Sequence, residues 1–505
     1  MEKRFIETAS NPVVLETASI PVLDYAVFTE VVDGMMNSED VHCLTYFVVP
    51  EKGWFRFICC MADDASGTVR TFSHLLEKGA ANELPAITAK HFAFHIFERE
   101  IHENFGIRFS GHPWLKPVRF PFDRSDLNDT MNSYPFFTIE GEDLHEVGVG
   151  PVHAGVIEPG YFRFICKGEQ VFHLEIHLGY QHRGIEPLFI EKKKLLQRVI
   201  LSESITGDTV AGHALCHSML SEALGGIEVS TSLAIERTIA LELERAAIHI
   251  GDTAALCTDI AFQFGQAVNE ALRTILINTT QLWCGNRFSK GLIRPGGTHY
   301  PLTEDLRKTI LDNIRDVGER YLQITSTMFG MPSLLSRFET IGTVTKDQAG
   351  MIGAVGMAAK SSGLQRDIRF SHPFMAFRDN KQKTVVLDSG DVWARAMLRK
   401  LEVEQSFALI CQLLEDYPEG SVSTKPLQTI AMAPSSFSLA MTEGWRGEIV
   451  HAALTDEKGS LTHYKVNDPS LHNWLALALA VRNQEISDFP LCNKSYNLSY
   501  CGYDL

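Results

Sequence analysis

Hydrophobic and polar positions change period along this chain, and the changes divide it. Leu44, Tyr46 and Val48 recur at every second position, and Phe55, Phe57 and Cys59 do so after Glu51-Lys52-Gly53. Period two across a short polar turn predicts a β hairpin. Phe94, Phe97 and Ile101 then recur at helical spacing, predicting a helix near Lys90–Asn104 with Gly106 as its stop. Phe162/Phe164 and Phe172/Leu174/Ile176 alternate around Lys167-Gly168, a second hairpin. Beyond that the period is helical. Ile235, Ile239, Leu243, Ala246 and Ile250 form one stripe, and 261–286, 303–328, 346–359 and 391–416 carry similar patterns.

These periods predict an α+β N-terminal domain over 1–125. A large domain follows over 148–505, mainly an α-helical bundle with β hairpins at its margin. The stretch between, 126–147, reads as a linker: Asp126, Asn128, Asp129 and Ser133 precede Pro135, which is turn chemistry.

Composition narrows the partners. A formal charge of −16 over 505 residues argues against nucleic acid, since phosphate binding needs clustered Lys and Arg. The start, Met1-Glu-Lys-Arg-Phe, lacks a signal-peptide apolar run, and no stretch reaches the roughly 18 apolar residues of a membrane span. The expectation is a cytoplasmic chain, held on the inner face of the cell membrane by partner subunits. Ten cysteines are present without a Cys-x-x-Cys pair, so they read as buried, reduced thiols rather than a zinc or cluster site.

Candidate chemistry gathers at three glycine-punctuated corners between 146 and 217. They carry His153 and Glu158, then His182 and Arg183, then Thr206, Asp208, Thr209 and His213. His182-Arg183 is open to two readings, a functional pair or a structural clamp before a helix. Cys216 and His217 read as core. Glu242, Glu244 and Arg245 read as an ion-pair network, with carboxylates that feed a proton path as the alternative; Arg366, Asp367 and Arg369 read as mutual pairs, with an anion clamp as the alternative. His91, His95, His102 and His112 read as exposed helix-face residues, because nothing nearby completes a metal-ligand set.

Longer blocks carry a resemblance. "GPVHAGVIEPGYFRF" and "GYQHRGIEPL" resemble the large subunit of membrane-bound, energy-converting [NiFe] hydrogenases of the formate hydrogenlyase type, and equally the quinone-site subunit of respiratory complex I. "ALELERAAIHIGD", "NRFSKGLIRPGG", "SSGLQRDIRFSHP", "GDVWARAMLRKLEVEQS" and "EGWRGEIVH" resemble later blocks of that superfamily, in order. "EREIHENFGIRFSGHPWLKPVRFP" (98–121) resembles the small soluble companion subunit of complex I, a docking and assembly element, here fused to the large one. Fusion raises the effective concentration of the two parts for each other.

The resemblance implies two Cys-x-x-Cys pairs holding nickel and iron, and this chain departs at both. Thr206 and Thr209 stand at the first pair of ligand positions, Ser499 and Gly502 at the second. Soft metals want thiolates, and hydroxyls stay protonated at neutral pH. A complex I quinone site implies a His at His153, which is kept, and a Tyr at Gly207, which is not. Arg446 matches an active-site arginine of the hydrogenase relatives.

The resulting expectation is a subunit of a membrane-associated, complex I-like or hydrogenase-related oxidoreductase complex without a NiFe centre. His153, Glu158, Asp208 and Arg446 are its catalytic candidates. His153, His182, Arg183, Thr206, Thr209, His213, Tyr500 and Asp504 form its proton or quinone pocket. The chain itself is expected to bind no cofactor. Electrons come from an iron–sulfur cluster in a partner small subunit docked near 150–160 and 203–217, and antiporter-like membrane subunits complete the assembly. The alternatives are an NADH-quinone oxidoreductase-type, quinone-reducing subunit and a non-catalytic scaffold of an ion-pumping complex.

Overall fold

Lys52-Gly53 closes the first hairpin because Gly53 takes the left-handed backbone (φ +81°) that a two-residue turn requires. Strand Val41–Glu51 therefore pairs antiparallel with Trp54–Asp63, and Glu51 faces Trp54. Thr68–Glu77 and Ile6–Thr8 extend the sheet. The computed structural model describes residues 3–79, 83–153, 157–380, 382–420 and 424–505.

This sheet is buried on both faces. Tyr46, Val48 and Phe57 pack toward helices Tyr25–Met35 and His95–Phe105, while Phe47, Val49 and Ile58 pack with the other core. A bulge between Cys43 and Thr45 moves Leu44 to the Phe47 side, away from the face that its spacing to Tyr46 predicts. The helix begins at His95, after a 3-10 turn over Phe92–Phe94, and ends at Gly106 with φ +68°. The side chains of His95 and His112 are buried rather than exposed: His95 stacks between Phe92 and Trp114, and the His112 imidazole lies against Glu98.

Between the two expected domains, His145–Val149 pairs with Tyr161–Lys167, which pairs with Gln170–His177. The predicted hairpin is there, but a bulge between Val171 and His173 turns Val171 and Leu174 inward and leaves Phe172 exposed.

Five long helices follow: Val210–Gly225, Thr231–Asp259, Gln263–Cys284, Glu304–Phe329 and Val392–Glu415. Thr231–Asp259 is their axis and is buried nearly all round. The 346–359 segment divides into Lys346–Met351 and Gly356–Lys360. One expectation fails. Beta structure in the large part is not marginal: Ser436–Glu443, Glu448–Thr455 and Leu461–Asn467 form a sheet, its first two strands wholly buried. Strands covered on both faces lose the alternation that would reveal them. Val13–Glu16, from the other end of the chain, adds the fourth strand. Helix Val210–Gly225 packs on this sheet. No helix among the described residues is long and apolar enough to cross a membrane.

Candidate functional site

The site is built where the 203–209 loop enters helix Val210–Gly225. The first amides of any helix lack intrahelical acceptors. Here Ala211 N and Gly212 N donate to the Glu244 carboxyl at 2.7 and 3.1 Å, which ties the loop to the central helix. Burial pushes Glu244 up to about 8, with the nearby Asp208 charge acting in the same direction.

Arg446 reaches in from the tight turn joining the two wholly buried strands. Its two terminal nitrogens donate to both Asp208 oxygens at 2.7 Å each, a bidentate pair. It also donates to Thr209 Oγ1 and to the Asn497 carbonyl, and lies flat on Trp445. Burial opposes its charge, but Asp208 outweighs burial and raises its pKa. Trp445 Nε1 donates to the Asp208 carbonyl at 2.9 Å. One hairpin turn thus grips both the side chain and the backbone of Asp208.

The C-terminal segment folds back over this loop. Ser499 Oγ accepts from Gly502 N at 2.9 Å and caps the short helix Tyr500–Asp504. A Cβ on Gly502 would lie 2.8 Å from the Thr206 methyl and 2.7 Å from Asp468 Cγ. The two halves of the expected cradle therefore touch. Arg183 fastens them: it donates to the carbonyls of Ser204 at 2.7 Å, Ile205 at 2.8 Å and Cys501 at 3.1 Å. That is the structural clamp. His182 Nδ1 lies 2.7 Å from the Asp504 carbonyl, and the Asp504 side chain accepts from Gly179 N and Gln181 N. Burial pushes the Asp504 carboxyl up to about 6.

Glu158 accepts from Cys501 N at 3.3 Å. His153 Nε2 lies 2.8 Å from the Gly160 carbonyl, and Gly160 backs directly onto the Tyr500 ring. Residues 154–156, part of the expected docking face, lie outside the described residues. His213 is buried beneath the cradle, its Nε2 3.1 Å from Asp468 Oδ2. All the candidates thus converge on one corner.

Sequence reasoning missed several neighbours there: Asp468, Trp445, Asn497 and Asp252. Asp252 accepts from Asn497 Nδ2 and Arg399 Nε, so it ties the C-terminal segment to the central helices. The available signal was Asp468-Pro469-Ser470, a helix-start signature; Asp468 accepts from Ser470 N at the head of Pro469–Val481.

A second polar cluster lies in the core alongside. Lys360 Nζ contacts Glu402 at 2.6 Å, Asp367 at 3.0 Å and Glu443 at 3.5 Å. Arg369 pairs with Asp367 and Glu242, and Arg245 with Glu242 and Glu402. Glu242 and Arg245 form the expected network, but Glu244 points the other way, into the site. Arg369 and Asp367 pair as expected, whereas Arg366 donates to the Ala354 carbonyl. Cys216 and His217 are core.

A helical bundle with a buried sheet, and a C-terminal segment closing over the loop before helix Val210–Gly225, is an architecture with known relatives. Residues 266–504 match the family "Respiratory-chain NADH dehydrogenase, 49 Kd subunit", and 28–128 match its "30 Kd subunit". The chain belongs to the family of membrane-bound hydrogenase and complex I 49 kDa subunits, with a 30 kDa-type domain fused in front. Among its relatives is the carbon monoxide-induced hydrogenase of Rhodospirillum rubrum, 31% identical over 69% of this chain and 95% of that protein. Hydrogenase-4 component G of Escherichia coli is 26% identical over 83% and 75% of the two chains. A fused NADH-quinone oxidoreductase subunit of Phocaeicola vulgatus is 27% identical over 80% and 84%. In the solved structure of the membrane-bound sulfane sulfur reductase, an archaeal respiratory membrane complex, one chain superposes with TM-score 0.67 at 21% identity, covering 73% of this chain and all of that one.

Proposed function

We propose that this chain is the fused large subunit of a membrane-associated oxidoreductase complex that works without a nickel–iron centre. The relatives named above, subunits of hydrogenases and of NADH-quinone oxidoreductases, support the complex. One observation carries the second half. The four positions where the family places thiolates offer two threonine hydroxyls, one serine hydroxyl and no side chain. The hydroxyls of Thr209 and Ser499 are committed to Arg446 and to Gly502 N. Space for a fourth ligand is also taken, because the Asp468 carboxyl and the Thr206 methyl abut Gly502. Oxygen donors of this kind do not fit a soft, low-valent metal pair.

What the corner can do is handle protons. Asp208 and Arg446 form a rigid charge pair with the Asp208 side chain 34% exposed, so it faces both the protein and the solvent side. Glu244, pushed up by burial, can hold a proton just behind it. An electron arriving on a neighbouring cluster raises the proton affinity of such groups through its charge. In this reading an iron–sulfur small subunit docks near 150–160, where Val152 and Ile157 expose apolar surface, and beside Ser204 and Gly207; the rest of the expected face, 209–217, is buried. Electrons come from its cluster, and His153, Glu158, Asp208 and Arg446 couple them to protonation. Antiporter-like membrane subunits use that protonation, with this chain on the cytoplasmic face. Metal analysis of the purified chain and of the intact complex tests the proposal. Iron in the complex and no nickel in either is the expected result; stoichiometric nickel overturns it.

A quinone acceptor is the second reading, favoured by one feature. A side chain on Gly207 would meet nothing within 4 Å, so the loop has an open side next to Asp208. His153→Ala abolishing quinone-linked turnover in the complex would select this reading.

A further inference from the structure

Beneath the cradle, four buried side chains connect Asp468 to the far side of the sheet. His213 Nε2 lies 3.1 Å from Asp468 Oδ2, and its Nδ1 lies 3.1 Å from His451 Nε2. His451 Nδ1 is 2.9 Å from the Tyr464 hydroxyl, and His217 Nδ1 is 2.8 Å from that same oxygen. All four are buried. Tyr464 also lines a cleft of about 970 Å³ between the N-terminal domain and the C-terminal sheet. Glu100, Glu103, Arg119, His182 and Glu186 stand in the walls of that cleft.

Donor counting fixes the order of this array. Burial opposes the Asp468 charge, yet the His213 hydrogen bond and Arg446 hold its carboxyl below the usual range, so Asp468 accepts. Burial, with His213 and His217 beside it, keeps His451 well below the usual imidazole range; burial holds His217 down to about 3, with Arg198 adding to it. With His213 neutral, one assignment satisfies every bond. His213 Nε2–H donates to Asp468, His451 Nε2–H to His213, Tyr464 O–H to His451, and His217 Nδ1–H to Tyr464. Every donor points toward the cradle. The direction follows from Asp468 accepting at one end, and it is the direction a relay into the cradle needs.

We propose that Asp468, His213, His451 and Tyr464 form a proton relay between the cleft and the cradle, with His217 as the lateral donor that holds the Tyr464 oxygen in line. The transfer balances without electrons and without breaking any bond between heavy atoms. Tyr464 gives its hydroxyl proton to His451 Nδ1 and takes a solvent proton back from the cleft that it lines, a step that needs water to reach a residue only 1% exposed. His451 passes its Nε2 proton to His213 Nδ1. The result is a His213 imidazolium paired with the Asp468 carboxylate, whose Cγ sits against the Gly502 backbone in the cradle. The side chains facing His213 and His451 are Asp468, Tyr464 and His217, and among the described residues Asp468 is the carboxylate hydrogen-bonded to the imidazolium.

The proposal rests on the cradle as the place where redox is coupled to protonation, but its test needs no redox partner. The full chain, labelled with 15N-histidine, is titrated from pH 8 to pH 5 and its ring nitrogens are followed by NMR. The expected result is that His451 moves its proton from Nε2 to Nδ1 across the titration. Tyr464→Phe, which keeps the ring, is expected to remove the His451 switch. It should also slow solvent exchange of the His213 Nδ1 proton at least tenfold. A His451 tautomer that stays fixed from pH 8 to pH 5, or exchange within twofold of wild type in Tyr464→Phe, overturns the relay. Either failure leaves the metal-free redox reading standing. Nickel in the complex would sink that reading without changing a histidine tautomer.

Discussion

Two buried polar networks lie side by side in the large part of the molecule, and they are built on opposite terms. Around Lys360, Arg369 and Arg245, each cation sits against at least two carboxylates, with all the side chains almost fully buried. That network closes on itself. Around Asp208 and Arg446 the terms are looser. Asp208 is one-third exposed, Glu244 is held where burial favours its neutral form, and the Thr206 hydroxyl is buried without a partner. A closed network holds helices together. A network with a one-third-exposed charge and a hydroxyl that meets no partner among the described residues has room to change state. Adjacent positions of one helix serve the two: Glu242 and Arg245 face the closed network, and Glu244 faces the open one.

The largest effect that separates them is stability. Arg369→Met leaves Asp367 and Glu242 without a principal counter-charge in the core. Breaking a buried pair of this kind costs about 3–5 kcal/mol. The expected outcome is loss of most of the folded chain, read by urea unfolding followed by far-UV circular dichroism. A midpoint close to wild type would mean that the closed network is not what holds the bundle.

Next comes activity. Asp208→Asn or Arg446→Met should cut turnover of the assembled complex at least tenfold. The stability cost should stay near 1–3 kcal/mol, because solvent reaches Asp208 and screens the loss. If complex activity survives both substitutions, the open network is a scaffold and the comparison fails at its central point.

A smaller effect is the pH dependence of stability. Burial raises Glu244 from 4.5 to about 8, so between those values the folded chain keeps a proton that the unfolded chain releases. Stability contributed by that group is therefore full below about 4.5 and is lost as pH rises through about 8, at no more than about 1.4 kcal/mol per pH unit. Buried histidines such as His217, lowered from 6.5 to about 3, act in the opposite direction, but only below about 6.5. Between pH 6.5 and 8 Glu443 and His42 pull the same way as Glu244; burial opposes the His42 charge, but its paired carboxylates Glu448 and Asp64 outweigh burial and raise it to about 9. The Glu244 share is therefore read from the variant and not from the wild-type slope. The urea midpoint of wild type should fall across that window, and Glu244→Gln should flatten the fall. An unchanged slope would place the proton elsewhere, with Glu443, which burial also raises to about 8, the first alternative.

How much of this is legible in the sequence follows from local chemistry. Lys52-Gly53 and Lys167-Gly168 announce their hairpins, and the long amphipathic segments announce Gln263–Cys284, Glu304–Phe329 and Val392–Glu415. The 436–467 sheet is hidden because Ser436–Glu443 and Glu448–Thr455 are covered on both faces, and because its fourth strand, Val13–Glu16, comes from the other end of the chain. Bulges move Leu44 and Phe172 off the faces that their spacing predicts, and a bulge leaves no trace in period-two spacing. Thr206, Asp208, Arg446, Ser499 and Gly502 can be named because their blocks resemble a family. Asp468, His451 and Tyr464 cannot, since each reads locally as a cap or a strand residue. Their meaning exists only once three distant segments meet.

The smallest stability effect gives the sharpest version of the comparison. Thr206 Oγ1 is buried and has no hydrogen-bond partner among the described residues, while the Thr206 methyl packs on Gly502. Thr206→Val keeps the shape and replaces an unsatisfied hydroxyl by a methyl group. Leaving a buried polar atom without a partner costs roughly 1–3 kcal/mol, so the variant should be as stable as wild type or slightly more stable. In the closed network the cations offer no such gain, because Lys360, Arg369 and Arg245 each sit against at least two carboxylates that their removal would strand. If the hydroxyl is kept to meet water, a proton or a substrate during turnover, Thr206→Val should lower complex activity several-fold while the urea midpoint holds or rises. A fall in the midpoint would show that the hydroxyl already has a structural partner, and that the open network is more closed than its geometry implies.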